Sequence, residues 1–424
     1  MDGKLVTLRK KGTAFSHLGE MALGSIVAQG IVFVSTLLVS RIYSPSQFGT
    51  YSLIIGMSAV IVPILTFCQE NFIVPAPNND VAIHLFKRTF RMILFNSSLL
   101  IFLVTVFGPT FFKKLSIDYL DSNISLIALL LGAINALYTI LNQLSLRKLE
   151  YRKLAIRGPV QNFCIGIFQI TSSNFVFKNF GLIIGEAMGR IAGILVLLPS
   201  AKGVWSNKNR VKNQYVNLKI SSANFLSIIF ELISINSALF FIVHLYSKDI
   251  VGQFAMAQKI ISLPTVVIGT ILSQYLLSIG SARAREGKFD SVSTFDKNLT
   301  KLFMGSVLLG ALILIIGLVQ PSKIMGDSWN LVGSILIYSI PGFIVSFVWN
   351  PISAIYYVYN RWNEFLVISS LRLLLVVSFG LILINTHPNI EIAVLAISFG
   401  NSIAQIIGIF LVRKIVEGNQ NTVI

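Results

Sequence analysis

Residues 302–319 read LFMGSVLLGALILIIGLV and contain no charged side chain. A run of this length and composition is typical of an α-helix that crosses the hydrocarbon core of a membrane, which is about 30 Å thick. Eleven further apolar runs of similar length occur along the chain, and only 12% of all residues are charged, against about 25% in soluble domains. The sequence therefore predicts an all-α polytopic membrane protein of about twelve transmembrane helices.

The ends of the apolar runs define twelve predicted spans, each uncertain by several residues. The predicted spans are 18–40, 49–69, 90–112, 123–146, 155–177, 180–199, 222–244, 254–279, 299–319, 331–355, 364–385 and 391–412. The first run is long and lacks a small-residue cleavage site in the usual place, so we expect it to remain as the first span.

A short motif occurs twice, about half a chain apart. Tyr43-Ser-Pro-Ser-Gln-Phe-Gly49-Thr-Tyr51 follows the first span, and Tyr246-Ser-Lys-Asp-Ile-Val-Gly252-Gln-Phe254 follows the seventh, at an offset of 203. A proline follows in each next span, at Pro63 and Pro264. Six spans is an even number, so both copies enter the membrane from the same side. We therefore expect two parallel six-helix bundles.

The positive charges are distributed unevenly between the two sets of connections. Of 34 Lys and Arg residues, 25 lie in the tails and one set of alternate connections, and six lie in the other set. The larger set includes Arg157, which the count assigns to the connection between the fourth and fifth spans. Cytoplasmic connections carry the excess of positive charge, so we expect cytoplasmic termini and no nucleic-acid partner. The predicted organisation is an N-terminal bundle over 1–200, a basic cytoplasmic linker over 201–221 and a C-terminal bundle over 222–424.

Motifs for nucleotide, metal or covalent chemistry are absent from the sequence. It has no phosphate-binding loop, no dinucleotide glycine fingerprint, no metal-spaced cluster of His and Cys, and no nucleophile elbow. The two cysteines, Cys68 and Cys164, lie in or near apolar segments and are interpreted as packing residues. The sequence therefore predicts a protein that is not an enzyme, with no cofactor, no metal site and no catalytic residue.

Polar side chains within the spans indicate a hydrated interior. Glu231 lies near the middle of the seventh span, on a stripe whose spacing of three and four residues puts all its members on one helical face. A carboxylate facing lipid would cost about 2.5–3.5 kcal/mol, so this face must contact protein or water. The stripe comprises Asn224, Ser227, Glu231, Ser234 and Ala238, and the fourth span has a second one, Asn135, Tyr138, Asn142 and Ser145.

Charged residues within the spans are the candidates for a transport site. Cations suit phosphate oxygens, and a carboxylate whose pKa shifts on burial suits proton coupling. The substrate-cavity candidates are Arg190, Lys259, Arg372 and Asn142, and the ion-coupling candidates are Glu231, Glu186 and Glu20.

Two of these assignments have structural alternatives. Glu186 and Arg190 stand at i and i+4, so they form either part of a cavity or an internal salt bridge that permits burial. Lys259 lies about five residues into its predicted span, so its ammonium either faces the cavity or extends to the outer surface.

Two stretches carry a resemblance to a known family. Residues 40–53, SRIYSPSQFGTYSL, and residues 251–264, VGQFAMAQKIISLP, resemble the corresponding segments of the polysaccharide transporter or O-antigen flippase (Wzx-type) family. This family belongs to the MOP flippase superfamily, which also contains the multidrug and toxic-compound extruders (MATE). The resemblance extends over essentially the whole chain and implies a MATE-like fold.

The resemblance also implies a function and partners. It implies translocation of an undecaprenyl-diphosphate-linked oligosaccharide, the repeat unit of O-antigen or of a similar polysaccharide, across the bacterial inner membrane, as in lipopolysaccharide biosynthesis. The expected mechanism is alternating access between the two bundles, coupled to an ion gradient. The expected partners are this lipid-linked oligosaccharide, membrane lipid, and the polymerase and chain-length regulator of the same pathway.

Two other functions remain as alternatives. A multidrug exporter of the same superfamily would need an aromatic and acidic cavity for organic cations, which the cationic bias of the spans opposes. A polysaccharide polymerase is a remote alternative, because the largest outward connections, 113–122 and 320–330, are too short to build a catalytic site.

Overall fold

Helices make up nearly all of the structure. The computed structural model describes residues 2–115, 122–173, 180–206, 218–269, 292–359 and 361–421, and within these ranges it contains no β-strand. The long helices are α1 Asp2–Ile42, α2 Pro45–Thr66, α3 Asn79–Leu115, α4 Ser122–Arg147, α5 Tyr151–Ser172, α6 Gly181–Leu197, α7 Leu218–Leu245, α8 Lys248–Pro264, α9 Val292–Leu318, α10 Val332–Val358, α11 Trp362–Thr386 and α12 Ile390–Asn421. The predicted all-α fold is confirmed.

Eleven of the described helices are long and apolar enough to cross a membrane. The remaining long helix is α5, which carries three cations near its start, Arg152, Lys153 and Arg157. The predicted polytopic membrane protein of about twelve spans is therefore confirmed. The apolar run 302–319 lies almost wholly within α9, most of whose large apolar side chains are exposed.

Several helices begin earlier than the predicted spans. Helix α3 begins at Asn79 rather than at 90, and α8 begins at Lys248 rather than at 254. Hydropathy marks only the part of a helix that lies in hydrocarbon, whereas backbone hydrogen bonding continues into the polar interface. At α3 the true start has a cap, since the side-chain oxygen of Asn78 accepts a hydrogen bond from the backbone N–H of Val81 at 2.9 Å.

The contacts divide the chain into two units. Unit 1 comprises Met1–Tyr43 and Ile54–Ser221, and unit 2 comprises Ser44–Leu53 and Ser222–Ile424. The first turns of α2 thus group with unit 2, although they lie in the N-terminal half of the sequence. A reciprocal capping box starts α2 at this point, because the backbone N–H groups of Ser44 and Gln47 each donate to the other residue's side-chain oxygen.

In unit 1, α5 is the helix around which others pack. It contacts α1 on one side and α6 on another, and α3 packs against α4. On α6, Gly185 and Gly189 allow close approach, because a Cβ atom at either position would lie 2.8 Å from a backbone atom of α5. Small residues spaced four apart are a common device for packing transmembrane helices. This close packing fixes the charged side chains of α5 and α6 relative to one another.

In unit 2, α10 contacts α8, α9 and α12, and α12 also contacts α11. Part of the buried core is aromatic: the ring of Tyr356 lies 6.2 Å from that of Trp349 and 5.5 Å from that of Phe365. Tyr356 also reaches α12, where its hydroxyl donates to the backbone oxygen of Gly408 at 3.2 Å. The aromatic cluster of α10 therefore contacts both α11 and α12.

Apart from Tyr43, which belongs to unit 1, the two copies of the repeated motif lie in unit 2 and contact each other. A Cβ atom on Gly49 would collide with the carbonyl oxygen of Lys248, and one on Gly252 would collide with the carbonyl oxygen of Pro45. Each glycine therefore meets the residue four positions before the other glycine. The contact is reciprocal, as expected for equivalent positions of a duplicated sequence.

The tyrosines that open the two motif copies also make equivalent contacts. In unit 1 the hydroxyl of Tyr43 donates to the backbone oxygen of Gln169 near the end of α5, at 2.7 Å. In unit 2 the hydroxyl of Tyr246 donates to the backbone oxygen of Pro388, just beyond the end of α11. Each tyrosine thus attaches its connection to the fifth long helix of its half.

Candidate functional site

The most buried charged group of unit 2 among the described residues is Arg372 on α11, which is 7% exposed. Its Nη1 donates to Oε1 of Glu231 on α7 at 3.0 Å, and its Nε donates to Oδ1 of Asn401 on α12 at 2.8 Å. The Glu231 side chain is 22% exposed. The cation is therefore enclosed, and its carboxylate partner keeps limited access to the surroundings.

The polar face of α7 explains why Glu231 is available to Arg372. Asn224, Ser227, Ser234 and Ala238 of the same stripe are buried. The hydroxyls of Ser227 and Ser234 donate back to carbonyls of their own helix, each at 2.6 Å. These donors therefore need no acceptor on a neighbouring helix. Glu231 is the charged member of the stripe, and an ion pair is the usual way to bury it.

A cavity of about 390 Å³ lies in unit 2 beside this ion pair. Asn401 lines the cavity and also binds Arg372, so it connects the two. Amide and hydroxyl groups contribute the polar part of the wall, and none of the described lining residues is charged. The polar lining residues are Asn236, Gln258, Ser262, Thr265, Ser339, Ser346, Asn350, Ser398 and Asn401. Such groups can accept and donate hydrogen bonds to an uncharged, hydroxyl-rich ligand.

Lys259 lies deeper in its helix than the predicted span implies. Because α8 begins at Lys248, Lys259 is its twelfth residue rather than the sixth residue of a span that starts at 254. Its ammonium nitrogen lies 5.5 Å from the ring centroid of Phe48, within unit 2, which is a cation–π distance. Lys259 does not line the cavity, although its neighbour Gln258 does.

In unit 1, Glu186 and Arg190 of α6 form an i, i+4 ion pair, with 2.9 Å between Arg190 Nε and Glu186 Oε1. The Arg190 guanidinium carbon also lies 5.5 Å from the centroid of the Tyr138 ring on α4. A second arginine, Arg157, lies 5.3 Å from the same centroid, and its Nη1 donates to the Tyr138 hydroxyl. Two cations thus share one aromatic ring.

The charge count groups Arg157 with a connection, whereas the structure places it in a helix. Helix α5 begins at Tyr151, so Arg157 lies two turns inside it and belongs to the polar cluster of unit 1. Counting charges at span ends treats any cation near an end as a loop residue, and so missed it. The i, i+4 spacing of Arg157 and Gln161, whose side chain is also buried, was the available signal.

The two remaining candidates, Asn142 and Glu20, lie in different surroundings. Asn142 lies one turn after Tyr138 on α4, and its buried Oδ1 accepts no hydrogen bond from the described residues. Glu20 is exposed on α1, before the apolar part of that helix begins at Leu23. The structure therefore brings together Arg372 with Glu231, and Arg190 with Glu186 and Tyr138. Lys259 lies against Phe48, and Glu20 lies just before the apolar part of α1.

The described part of the chain includes all the residues named in both polar clusters. Within it, no group of three His, Cys, Asp or Glu side chains lies close enough to hold a metal ion. As described above, the two sites contain ion pairs, hydrogen bonds and aromatic contacts.

The family follows from comparison with known proteins. Residues 38–329, more than two thirds of the chain, match the family of polysaccharide biosynthesis proteins. The chain belongs to this family. Comparison with curated protein sequences gave no match.

Solved structures with a similar fold include transporters and a flippase of the MOP superfamily. The lipid II flippase MurJ, in an inward closed conformation, has a TM-score of 0.70 at 14% identity, over 95% of this chain and 87% of MurJ. A MOP superfamily transporter from Pyrococcus furiosus has a TM-score of 0.65 at 12% identity, and a MATE in complex with MaL6 has 0.64 at 13%. Each of these last two matches covers 95% of this chain and 96% of the other. At such identities the likeness concerns the fold, which is that of the MATE transporters and MurJ.

Proposed function

We propose that this protein is a flippase that moves an undecaprenyl-diphosphate-linked oligosaccharide across the bacterial inner membrane by alternating access. Its family and its MurJ-like fold support a lipid-linked substrate. The observation that carries the proposal is the buried Arg372–Glu231 ion pair beside a polar cavity. Ionisable groups within a membrane are expensive to bury, so they mark substrate or ion pathways by default.

The ion pair offers a way to couple the substrate to an ion gradient. While Glu231 is ionised, it occupies Arg372. When the carboxylate takes up a proton it loses its charge, and Arg372 becomes available to a phosphate oxygen of the substrate. Substrate binding and proton binding then favour one another, and this linkage is reciprocal. The uncharged polar cavity beside Asn401 suits the sugar portion, whose hydroxyls match its amides and hydroxyls.

The proposed placement of the protein follows from the charge distribution. Both termini and the basic linker lie on the cytoplasmic side of the inner membrane, where the lipid-linked repeat is assembled. Membrane lipid surrounds the apolar helices, and the polymerase and chain-length regulator of O-antigen or a related polysaccharide act on the product at the other face.

Complementation of a deletion strain tests this proposal. Arg372→Ala and Glu231→Gln should each abolish or strongly reduce surface polysaccharide, at membrane levels equal to wild type. Arg413→Ala is the matched control, because Arg413 also pairs with a carboxylate on another helix, Asp296, but at an exposed position. Full restoration by both site variants would show that this ion pair has no role in transport.

A multidrug exporter is the second candidate, because MATE structures share the fold. It predicts a deletion strain that is sensitive to cationic drugs but makes normal polysaccharide. The cations Arg372 and Arg157 inside the spans favour an anionic substrate instead. Normal drug tolerance together with lost polysaccharide would decide for the flippase.

A further inference from the structure

Unit 1 contains a polar cluster with more positive than negative charge. Arg157 of α5 and Arg190 of α6 both lie against the ring of Tyr138, with guanidinium carbons 5.3 and 5.5 Å from its centroid. Glu186 pairs with Arg190 at 2.9 Å. Among the described residues, no carboxylate forms an ion pair with Arg157, so the described part of the cluster holds two arginines and one glutamate.

Three buried polar atoms of this cluster have no hydrogen-bond partner among the described residues. They are Nε of Arg157, which is a donor, and Oε1 of Gln161 and Oδ1 of Asn142, which are acceptors. Buried polar atoms are nearly always hydrogen-bonded in native proteins, and exceptions call for a ligand, a water molecule or a functional role. A ligand that satisfied these atoms would carry a negatively charged hydrogen-bond acceptor and one or more hydrogen-bond donors.

The atoms that need partners lie on neighbouring elements. A Cβ atom on Gly193 of α6 would lie 2.9 Å from the edge of the Tyr138 ring and 3.1 Å from Oε1 of Gln161. The Tyr138 ring and the Gln161 amide oxygen therefore both lie close to Gly193 of α6. Asn142 stands one turn from Tyr138 on α4, so it lies on the same helical face.

Packing alone does not account for this arrangement. An aromatic ring attracts a cation only weakly compared with what burial of an unpaired charge costs. Glu186 is already paired with Arg190, so Arg157 is not needed to neutralise it. The guanidinium group of Arg157 would instead be stabilised by an additional anion. The Arg190 side chain is 27% exposed, so the cluster is open to its surroundings on that side.

We propose that Tyr138, Arg157, Arg190, Gln161 and Asn142 form a binding site for a phosphate ester that carries neighbouring hydroxyl groups, as a glycosyl phosphate does. The guanidinium groups bind the phosphate oxygens, and the amide oxygens accept hydrogen bonds from the sugar hydroxyls. The assignment of this ligand to the transported lipid-linked oligosaccharide rests on the proposed function. The site itself is separate from the Arg372–Glu231 pair of unit 2.

Ligand-dependent thermal stability of the purified full-length protein tests the site. The probes are glucose 1-phosphate, inorganic phosphate and glucose. In the wild type, glucose 1-phosphate should raise the midpoint of unfolding at lower concentration than inorganic phosphate, and glucose should have little effect. Arg157→Gln should weaken the apparent affinity for glucose 1-phosphate about tenfold or more, because a charge-assisted contact is lost.

Two variants separate binding from folding. Arg152→Gln removes an exposed cation from the same helix and should bind glucose 1-phosphate as the wild type does. Gln161→Leu keeps both arginines, so it should still bind inorganic phosphate but should lose the preference for the sugar ester. If Arg157→Gln is poorly folded, the Gln161→Leu result decides.

The outcomes that overturn the proposal are equally direct. They are no response of the wild type to glucose 1-phosphate, or an equal response in wild type and Gln161→Leu. A lipid headgroup is the other source of such chemistry. Tighter binding of phosphatidylglycerol than of glucose 1-phosphate, in nanodiscs of phosphatidylcholine, would overturn the assignment to the substrate. The cell-based test of Arg372 and Glu231 does not depend on these results, so the two proposals fail separately.

Discussion

Arg372 and Glu231 form an ion pair at 3.0 Å although 141 positions separate them in the sequence. With Asn401, they connect α7, α11 and α12 at one polar point of unit 2. The two partners are unequally enclosed, since the Arg372 side chain is 9% exposed and that of Glu231 is 22% exposed. Removing one partner should therefore not have the same effect as removing the other.

The first prediction concerns this asymmetry. Glu231→Leu leaves a nearly enclosed cation unpaired and should lower the free energy of unfolding by about 3–5 kcal/mol. Arg372→Met leaves a carboxylate with better access to water and should cost less. The double variant Glu231→Leu/Arg372→Met should recover much of the loss while remaining inactive in complementation. Unfolding of the purified variants measures this cycle, and additive effects would contradict it.

The second prediction concerns the amide that joins the cavity to the ion pair. Asn401→Leu removes the acceptor for Nε of Arg372 and should destabilise the protein by about 1–3 kcal/mol. Asn236→Ala is its control, because Asn236 also lines the cavity but donates to a carbonyl of its own helix at 2.8 Å. Equal losses of stability in the two variants would mean that the Asn401 contact contributes nothing.

The third prediction concerns pH and Glu70, which lies in the connection between α2 and α3. Burial raises the pKa of the Glu70 carboxyl, which is 6% exposed, and a hydrogen bond from Thr66 opposes this only in part. The folded protein thus binds this proton more tightly than the unfolded chain does, whose glutamates titrate near pH 4.3. The resulting stability is complete below about pH 4 and is lost as the pH rises through the folded pKa.

Glu70→Gln should remove this dependence. Melting temperatures of wild type and variant should agree near pH 4, and the variant should become the more stable of the two as the pH rises to neutrality. A difference between the two proteins that is constant with pH would show that Glu70 does not titrate in this way.

The fourth prediction concerns the repeated glycines. Gly49→Ala and Gly252→Ala each place a methyl group against a backbone oxygen and should cost about 1–3 kcal/mol as the helices move apart. Gly305→Ala on α9 should instead be neutral or stabilising, since that position is open and alanine favours a helix by about 1 kcal/mol. Thermal unfolding distinguishes them, and three equal shifts would be inconsistent with a specific contact.

The fold was largely predictable from composition and periodicity. Residues 302–319 could hardly form anything but a membrane helix, and the structure places nearly all of them in α9. The predicted starts of the helices were less accurate, because hydropathy does not detect helical turns that extend into the polar interface. Asn78 is a typical N-cap residue and could have indicated the start of α3. A single capping residue is, however, weaker evidence than a long apolar run.

The polar clusters were predictable residue by residue but not as clusters. Arg372 and Glu231 were each notable as charges within a span, yet nothing in a single sequence shows that they contact each other. Arg157 was missed because three cations in the first turns of α5 look like a cytoplasmic loop. Charge near a span end is ambiguous in a sequence, and only the path of the helix decides it.

The contact between Gly49 and Gly252 has a consequence for how the two motif copies can vary. It is built like the isologous interface of a two-fold dimer, in which each partner presents the same surface to the other. A larger residue at one position cannot be compensated by a smaller residue at the other, because both positions already lack a side chain. Phe48 and Val251, which directly precede the two glycines, are both buried, yet they differ between the copies. Sequence drift after a duplication would therefore leave the two glycines unchanged together.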